Sequence, residues 1–140
     1  MIDDPVIFVV DDDPSVRRSL ARLLKALGFQ TETFASAWEF LGREPFEGPS
    51  CLLVDVRMPE LSGFDLFERL KAARRDVPVI FITGHGDIPM AVRAIKAGAV
   101  DFLAKPFDEE ALVAAVQQAI GESRERAALS RERSGLPSGL

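Results

Sequence analysis

The stretch VIFVVDDDP, residues 6–14, decides how the chain begins to fold. Its first five residues form an apolar run that is too short for a helix and rich in valine, which is typical of a strand buried on both faces. Three aspartates follow, and from Pro14 the hydrophobic residues recur at three- and four-residue steps until Gly28. This spacing predicts an amphipathic helix. Asp13, just before it, is predicted to be the helix N-cap.

The same alternation continues along the chain. Compact apolar or alternating segments predict strands at residues 6–10, 30–34, 51–54, 77–82 and 100–104, and helical spacing follows each of them. Parallel strands need crossover connections, so five strand–helix units predict a doubly wound α/β fold. We expect a five-stranded parallel sheet with helices on both faces.

Composition narrows the class of protein. The chain has 140 residues, of which 47% are hydrophobic and 28% charged, which is typical of one folded domain. A net charge of -5 disfavours nucleic acid as a ligand of this domain. Cys51 is the only cysteine and is expected to be inert core. The acidic N-terminus and the lack of an apolar run of about 18 residues predict a cytoplasmic protein that does not contact a membrane.

The end of the sequence differs from the rest. Residues 122–140 are charged and then rich in serine, glycine and proline. We therefore expect a domain at residues 1–121, a last helix that frays near Ala128, and a linker-like tail.

Polar residues follow four of the predicted strands. Asp11 and Asp12 come after the first strand, Asp55 ends the third, Thr83 the fourth and Lys105 the fifth. The carboxyl ends of parallel strands meet at one edge of the sheet, where ligands bind. Clustered carboxylates repel one another unless a cation joins them. Hard oxygen ligands favour Mg²⁺, with Mn²⁺ as the second choice and Ca²⁺ behind.

A carboxylate, a metal, a lysine and a hydroxyl around one open position suit phosphoryl transfer. Asp55 is the candidate nucleophile, because aspartate can form an acyl phosphate. Lys105 and the metal would offset the incoming charge, and Thr83 would donate a hydrogen bond to a phosphoryl oxygen.

These motifs, taken in order, resemble the receiver domain of bacterial two-component response regulators, the CheY-like superfamily, over residues 5 to about 121. The motifs are Val10-Asp11-Asp12, Asp55-Val56-Arg57-Met58-Pro59 with Gly63, Thr83-Gly84 and Lys105-Pro106-Phe107. The stretch TGHGDIPMAVRAIKAGAVDFLAKPF, residues 83–107, is most similar to FixJ-type receivers.

The resemblance implies a flavodoxin-like strand order of 2-1-3-4-5 and a cis peptide bond before Pro106. It implies Mg²⁺ bound by Asp12, Asp55 and the backbone carbonyl of Arg57, with Asp11 acting through water. It also implies that Asp55 accepts phosphate from a phosphohistidine on a sensor histidine kinase. The protein would then be a signalling switch and not an enzyme with a turned-over substrate.

The resemblance further implies how the switch acts. Thr83 would move toward the phosphoryl group, and Phe102 would turn inward behind it. Such a change would alter the surface of helix 4, strand 5 and helix 5, which we expect to serve dimerisation and output. Family members usually carry a helix-turn-helix domain. We expect contact with DNA only through such a domain. None lies in these 140 residues, so the chain is a stand-alone receiver or part of a longer regulator.

Other interpretations remain open. An aspartate-nucleophile phosphatase would place Asp-x-Asp at the first strand, whereas here the candidate nucleophile ends the third. A flavin-binding module is disfavoured by the acidic rim, so no organic cofactor is expected. A receiver that no longer accepts phosphate is disfavoured because the acidic residues, Thr83 and Lys105 are all present. His85 is predicted to have a local role, although it and Arg57 could tune the loss of phosphate.

Overall fold

The chain alternates strictly between strands and helices, as the sequence predicted. A computed structural model describes residues 4–84 and 88–135, apart from the side chains of residues 88 and 130–135. The strands are β1 Val6–Val10, β2 Gln30–Phe34, β3 Ser50–Asp55, β4 Val79–Thr83 and β5 Asp101–Ala104. The helices are α1 Pro14–Ala26, α2 Ala37–Leu41, α3 Gly63–Ala72, α4 Ile88–Ala97 and α5 Glu109–Gly135.

The five strands form one parallel sheet in the order β2-β1-β3-β4-β5. The doubly wound fold and the strand order are therefore confirmed. The register sets which strand ends are neighbours: Val10 of β1 lies opposite Val54 of β3, so Asp11 and Asp55 follow at the same level. At the other side of the sheet Thr83 lies opposite Ala104, which places Lys105 next along the same edge.

Each face of the sheet is covered by its own hydrophobic layer, since successive residues of a strand point to opposite faces. The layer beneath α2, α3 and α4 includes Phe8, Phe40, Leu66, Phe81 and Ala94. The layer beneath α1 and α5 includes Ile7, Leu20, Leu24, Leu112 and Val116. Burial of each large side chain stabilises the fold by about 1.5–3 kcal/mol. The helices are thereby fixed against the sheet whose edge carries the polar residues.

Side chains close the amino ends of α1, α2 and α3, with Ser36 capping α2 through a 3.1 Å hydrogen bond from a backbone amide of that helix. The carboxylate of Asp13 accepts a 2.9 Å hydrogen bond from the amide of Ser15, which confirms Asp13 as the N-cap of α1. Ser62 and Asp65 form a reciprocal capping box at the start of α3, with hydrogen bonds of 3.1 and 3.2 Å. The caps of α1 and α3 end the loops that follow β1 and β3, and they fix where each helix begins.

Helix α5 is longer than predicted. It does not fray near Ala128 but continues to Gly135. Alanine, glutamate, arginine and leucine dominate this segment and have high helix propensity, which outweighs its scattered serines. The Ser123 hydroxyl accepts a 3.0 Å hydrogen bond from the buried amide of Ser50, and Arg126 forms a 2.5 Å ion pair with Asp76. These contacts fix the first part of the segment to the body of the domain.

Strand β4 begins at Val79, two residues later than predicted. The amide of Val77 bonds to the carbonyl of Arg75 in a turn, and Pro78 has no N–H to donate to a neighbouring strand. Among the residues described, no helix has the length and hydropathy needed to span a membrane.

Candidate functional site

The acidic residues predicted to form a site lie together at the carboxyl edge of the sheet. One ligand oxygen from each of Asp11, Asp12 and Asp55 falls within 4.8 Å of the others. Asp11 is buried, Asp12 is exposed, and the side chain of Asp55 is 11% exposed. The three carboxylates therefore form a half-open cluster with one face toward solvent, a geometry that can receive a cation from solution.

Lys105 joins two members of this cluster. Its Nζ lies 3.1 Å from Oδ2 of Asp11 and 3.1 Å from Oδ2 of Asp55. The amide of Lys105 donates a 2.7 Å hydrogen bond to the carbonyl of Thr83, which fixes the start of the side chain against β4. The peptide bond between Lys105 and Pro106 is cis, as expected. The ammonium group is thus positioned between two carboxylates from different strands.

The second oxygen of Asp55 is also engaged. Oδ1 accepts a 2.8 Å hydrogen bond from the amide of Arg57, so the loop after β3 folds back over the carboxylate. Val56 supports this turn, because its amide donates to the carbonyl of Ile82 at 2.9 Å and its carbonyl accepts from the amide of Gly63 at 3.0 Å. The orientation of Asp55 is therefore fixed by its own loop as well as by Lys105.

Gly63 is required where α3 approaches the end of β3. A Cβ added at this position would collide with the carbonyl oxygen of Asp55 and lie 3.0 Å from the Cα of Val56. The close approach also permits the hydrogen bond between Gly63 and Val56. The glycine quoted in the sequence motif thus has a steric reason in the fold.

The electrostatics of the site favour a bound cation. Burial raises the pKa of Asp55, as does the nearby charge of Asp11, while hydrogen bonds from Arg57 and Lys105 lower it, and the net effect is upward. Burial lowers the pKa of Lys105, but its hydrogen bonds and the charges of Asp55 and Asp11 outweigh this and raise it overall. Lys105 pairs with two of the three carboxylates, so negative charge remains in excess in the cluster.

The structure also describes three of the four remaining predicted residues. Thr83 is fully buried at the end of β4, and Phe102 on β5 is half-buried against the layer beneath α2, α3 and α4. The Arg57 side chain is exposed. His85 lies outside the described residues. The structure thus brings Asp11, Asp12, Asp55 and Lys105 into one cluster.

Sequence reasoning missed Arg17. Its guanidinium donates a 2.6 Å hydrogen bond to the carbonyl of Asp11, although the spacing of α1 marks it only as a polar residue between hydrophobic positions. The only sequence signal is its position in the first turn of α1, four residues after Asp13, which is common in helices without such a contact.

Comparison with known proteins identifies this arrangement. A family model described as the response regulator receiver domain matches residues 7–117. The chain belongs to this family. The receiver domain is 50% identical to the response regulator protein TodT of Pseudomonas putida over 115 residues. This match covers 82% of this chain and 51% of the relative. It is 45% identical over 117 residues to the transcriptional regulatory protein FixJ of Bradyrhizobium diazoefficiens, covering 84% and 57%.

Solved structures agree with this assignment. The response regulator StyR superposes on the receiver domain with a TM-score of 0.87 at 49% identity, covering 94% of this chain and 67% of that one. The structure of FixJ-N gives a TM-score of 0.78 at 43% identity, covering 84% and 94%. The receiver domain spans about half the length of the curated relatives it matches. The protein is thus a response-regulator receiver domain of a two-component system.

Proposed function

We propose that this receiver domain is a Mg²⁺-dependent phospho-acceptor that takes a phosphoryl group onto Asp55 from a phosphohistidine of a sensor histidine kinase. The observation that carries the proposal is the cluster of three carboxylates with ligand oxygens within 4.8 Å of one another, joined by Lys105 at 3.1 Å from both Asp11 and Asp55. A nucleophilic carboxylate, a cation site and an ammonium group therefore share one open edge of the sheet.

The metal suits the residues present. Asp12, Asp55 and the backbone carbonyl of Arg57 would hold Mg²⁺, with Asp11 acting through water. These are hard oxygen donors, which Mg²⁺ prefers and Mn²⁺ accepts. When bound, the ion supplies positive charge that offsets the negative charge of a phosphoryl group.

The chemical step is an exchange of one bond to phosphorus for another. A carboxylate oxygen of Asp55 attacks the phosphorus atom, and the bond from phosphorus to the imidazole nitrogen breaks. The electron pair stays on that nitrogen, which the kinase histidine keeps. Lys105 offsets charge on the transferring oxygens, and the Thr83 hydroxyl donates a hydrogen bond to one of them. Water later attacks the phosphorus atom, the bond from phosphorus to the Asp55 oxygen breaks, and inorganic phosphate leaves. The free carboxylate is restored, so the protein acts as a switch and not as an enzyme with a separate substrate.

The output surface is proposed to be α4, β5 and α5. Thr83 and Phe102 would change position on phosphorylation and alter the packing of this face. Val92 and Ile95 of α4 are 46% and 48% exposed, and large apolar side chains exposed together are typical of an interaction surface. We propose that phosphorylation makes this face form a homodimer.

The transcription-regulating relatives suggest a further domain beside the receiver. The relative FixJ is described as a transcriptional regulatory protein, and the receiver domain matches only part of it. We propose a cytoplasmic regulator in which residues 1–121 receive the signal and residues 122–140 lead to a helix-turn-helix domain. Only that further domain would contact DNA.

Intact mass spectrometry tests the phospho-acceptor proposal. The protein is incubated with Mg²⁺ and acetyl phosphate, and the experiment is repeated with Asp55→Asn and with excess EDTA. We expect one phosphate adduct on the wild type with Mg²⁺ and none in the other two samples. An adduct of equal yield on Asp55→Asn, or one that forms equally well in EDTA, would refute the proposal.

A further inference from the structure

Arg17 connects α1 to the loop that carries the acidic residues. Its Nη1 donates a 2.6 Å hydrogen bond to the backbone carbonyl of Asp11, while its own amide donates a 3.0 Å bond to the carbonyl of Asp13 in the first turn of the helix. A hydrogen bond from a charged donor at this length is among the stronger ones in proteins. The side chain therefore reaches back from the helix and holds the loop.

The carbonyl that Arg17 holds controls where Asp12 lies. It belongs to the peptide unit between Asp11 and Asp12, and because this unit is planar, fixing its oxygen also fixes the nitrogen and Cα of Asp12. Asp11 has further partners, since its carboxylate accepts from the amide of Asp13 and from Lys105. Asp12 is exposed, and within residues 4–84 and 88–135 no hydrogen bond or ion pair holds its side chain.

We propose that Arg17 is a positioning residue for the metal site. By fixing the Asp11–Asp12 peptide, it keeps the carboxylate of Asp12 within reach of the oxygens of Asp11 and Asp55. This inference rests on the proposed function, which makes Mg²⁺ the ion that the cluster binds. The charge of Arg17 alone would act in the opposite sense, because a nearby cation repels a metal ion. Removal of the Arg17 side chain should therefore weaken Mg²⁺ binding if its hydrogen bond dominates and strengthen Mg²⁺ binding if its charge dominates.

A titration with MgCl₂, followed by amide NMR on the full chain, separates these effects. In Arg17→Ala we expect the dissociation constant for Mg²⁺ to rise about tenfold, the lower end of the effect usual for groups that orient metal ligands. Arg18→Ala is the matched control, since Arg18 is exposed on the same helix and the described residues include no partner for it. It removes the same charge and should leave the constant unchanged. Arg17→Lys should recover part of the affinity.

An unchanged dissociation constant in Arg17→Ala would overturn the proposal. A lower one would overturn it too, because the charge of Arg17 would then matter more than its hydrogen bond. The same spectra show whether each variant is folded. If Arg17→Ala is unfolded, Arg17→Met takes its place, because methionine keeps the apolar stem.

A second measurement needs no metal. In EDTA we expect the amide of Asp13, which donates a 2.9 Å hydrogen bond to the carboxylate of Asp11, to exchange with solvent faster in Arg17→Ala than in wild type or Arg18→Ala. Equal exchange in all three proteins would overturn the positioning role by itself. A wild-type protein that shows no response to Mg²⁺ would instead refute the proposed function, so the two failures are distinguishable.

Discussion

The ammonium of Lys105 lies 3.1 Å from a carboxylate oxygen of Asp55, although 50 residues separate them in the sequence. The same nitrogen lies 3.1 Å from Asp11. One cation therefore holds the ends of β1, β3 and β5 together at the point where three negative charges converge. Stability and metal binding are consequently linked at this edge of the sheet.

Replacement of Lys105 by methionine should reveal this link. In EDTA the variant should unfold with a free energy about 1–3 kcal/mol lower than wild type, because Asp11 and Asp55 lose their charged partner in a half-buried site. Excess MgCl₂ should stabilise the variant more than the wild type, since the metal then offsets charge that Lys105 no longer offsets. Urea unfolding with and without MgCl₂ measures both effects. An equal gain from MgCl₂ in the two proteins would contradict the linkage.

Asp12→Asn should abolish most of the stabilisation by metal without destabilising the metal-free protein. Asp12 is exposed and contributes charge to the cluster, so its loss removes repulsion as well as a metal ligand. A ligand that binds only the folded state raises the melting temperature according to its concentration and affinity. Thermal unfolding is measured in EDTA and in a series of MgCl₂ concentrations. The melting temperature should rise with MgCl₂ for wild type and change little for Asp12→Asn. A full rise in the variant would exclude Asp12 as a ligand.

Gly63→Ala should destabilise the domain by about 1–3 kcal/mol, the usual cost of forcing an extra carbon into a packed site. The added Cβ would meet the carbonyl of Asp55, so the loop after β3 must shift. Gly121→Ala is the control, because nothing lies within 4 Å of a Cβ there and the position is inside α5. That change should stabilise by about 0.5–1 kcal/mol. Urea unfolding of both variants checks the prediction, and a Gly63→Ala protein as stable as wild type would contradict it.

The strand ends were predictable because they depend on short local patterns. Each apolar run stops at a polar residue, and parallel pairing aligns those stops, as Val10 opposite Val54 shows. The hydrogen bond of Arg17 was not predictable, since a long side chain on a helix can point to solvent or to a loop with the same sequence spacing. The length of α5 was ambiguous for a related reason: its charged, alanine-rich segment suits a solvated helix as well as a linker, and a contact such as Ser123 with Ser50 is visible only in the fold.

That contact gives a prediction for α5. Ser123→Ala should lower the free energy of unfolding by about 1–3 kcal/mol, because the buried amide of Ser50 would lose its acceptor. Arg126→Ala, which removes the exposed ion pair with Asp76, should cost no more than about 1 kcal/mol. Chemical denaturation of the two variants compares the contacts. A larger cost for Arg126→Ala than for Ser123→Ala would contradict the view that the buried hydrogen bond fixes the helix.

The most direct test of the account is to locate the phosphate. The protein is treated with acetyl phosphate and MgCl₂ and then with borohydride, which reduces an acyl phosphate of aspartate to homoserine. Peptide mass spectrometry then identifies the converted residue. The account predicts conversion at Asp55 and nowhere else in the sequence. Conversion at Asp11 or Asp12 with Asp55 unchanged, or a stable phosphate on another kind of side chain, would contradict it.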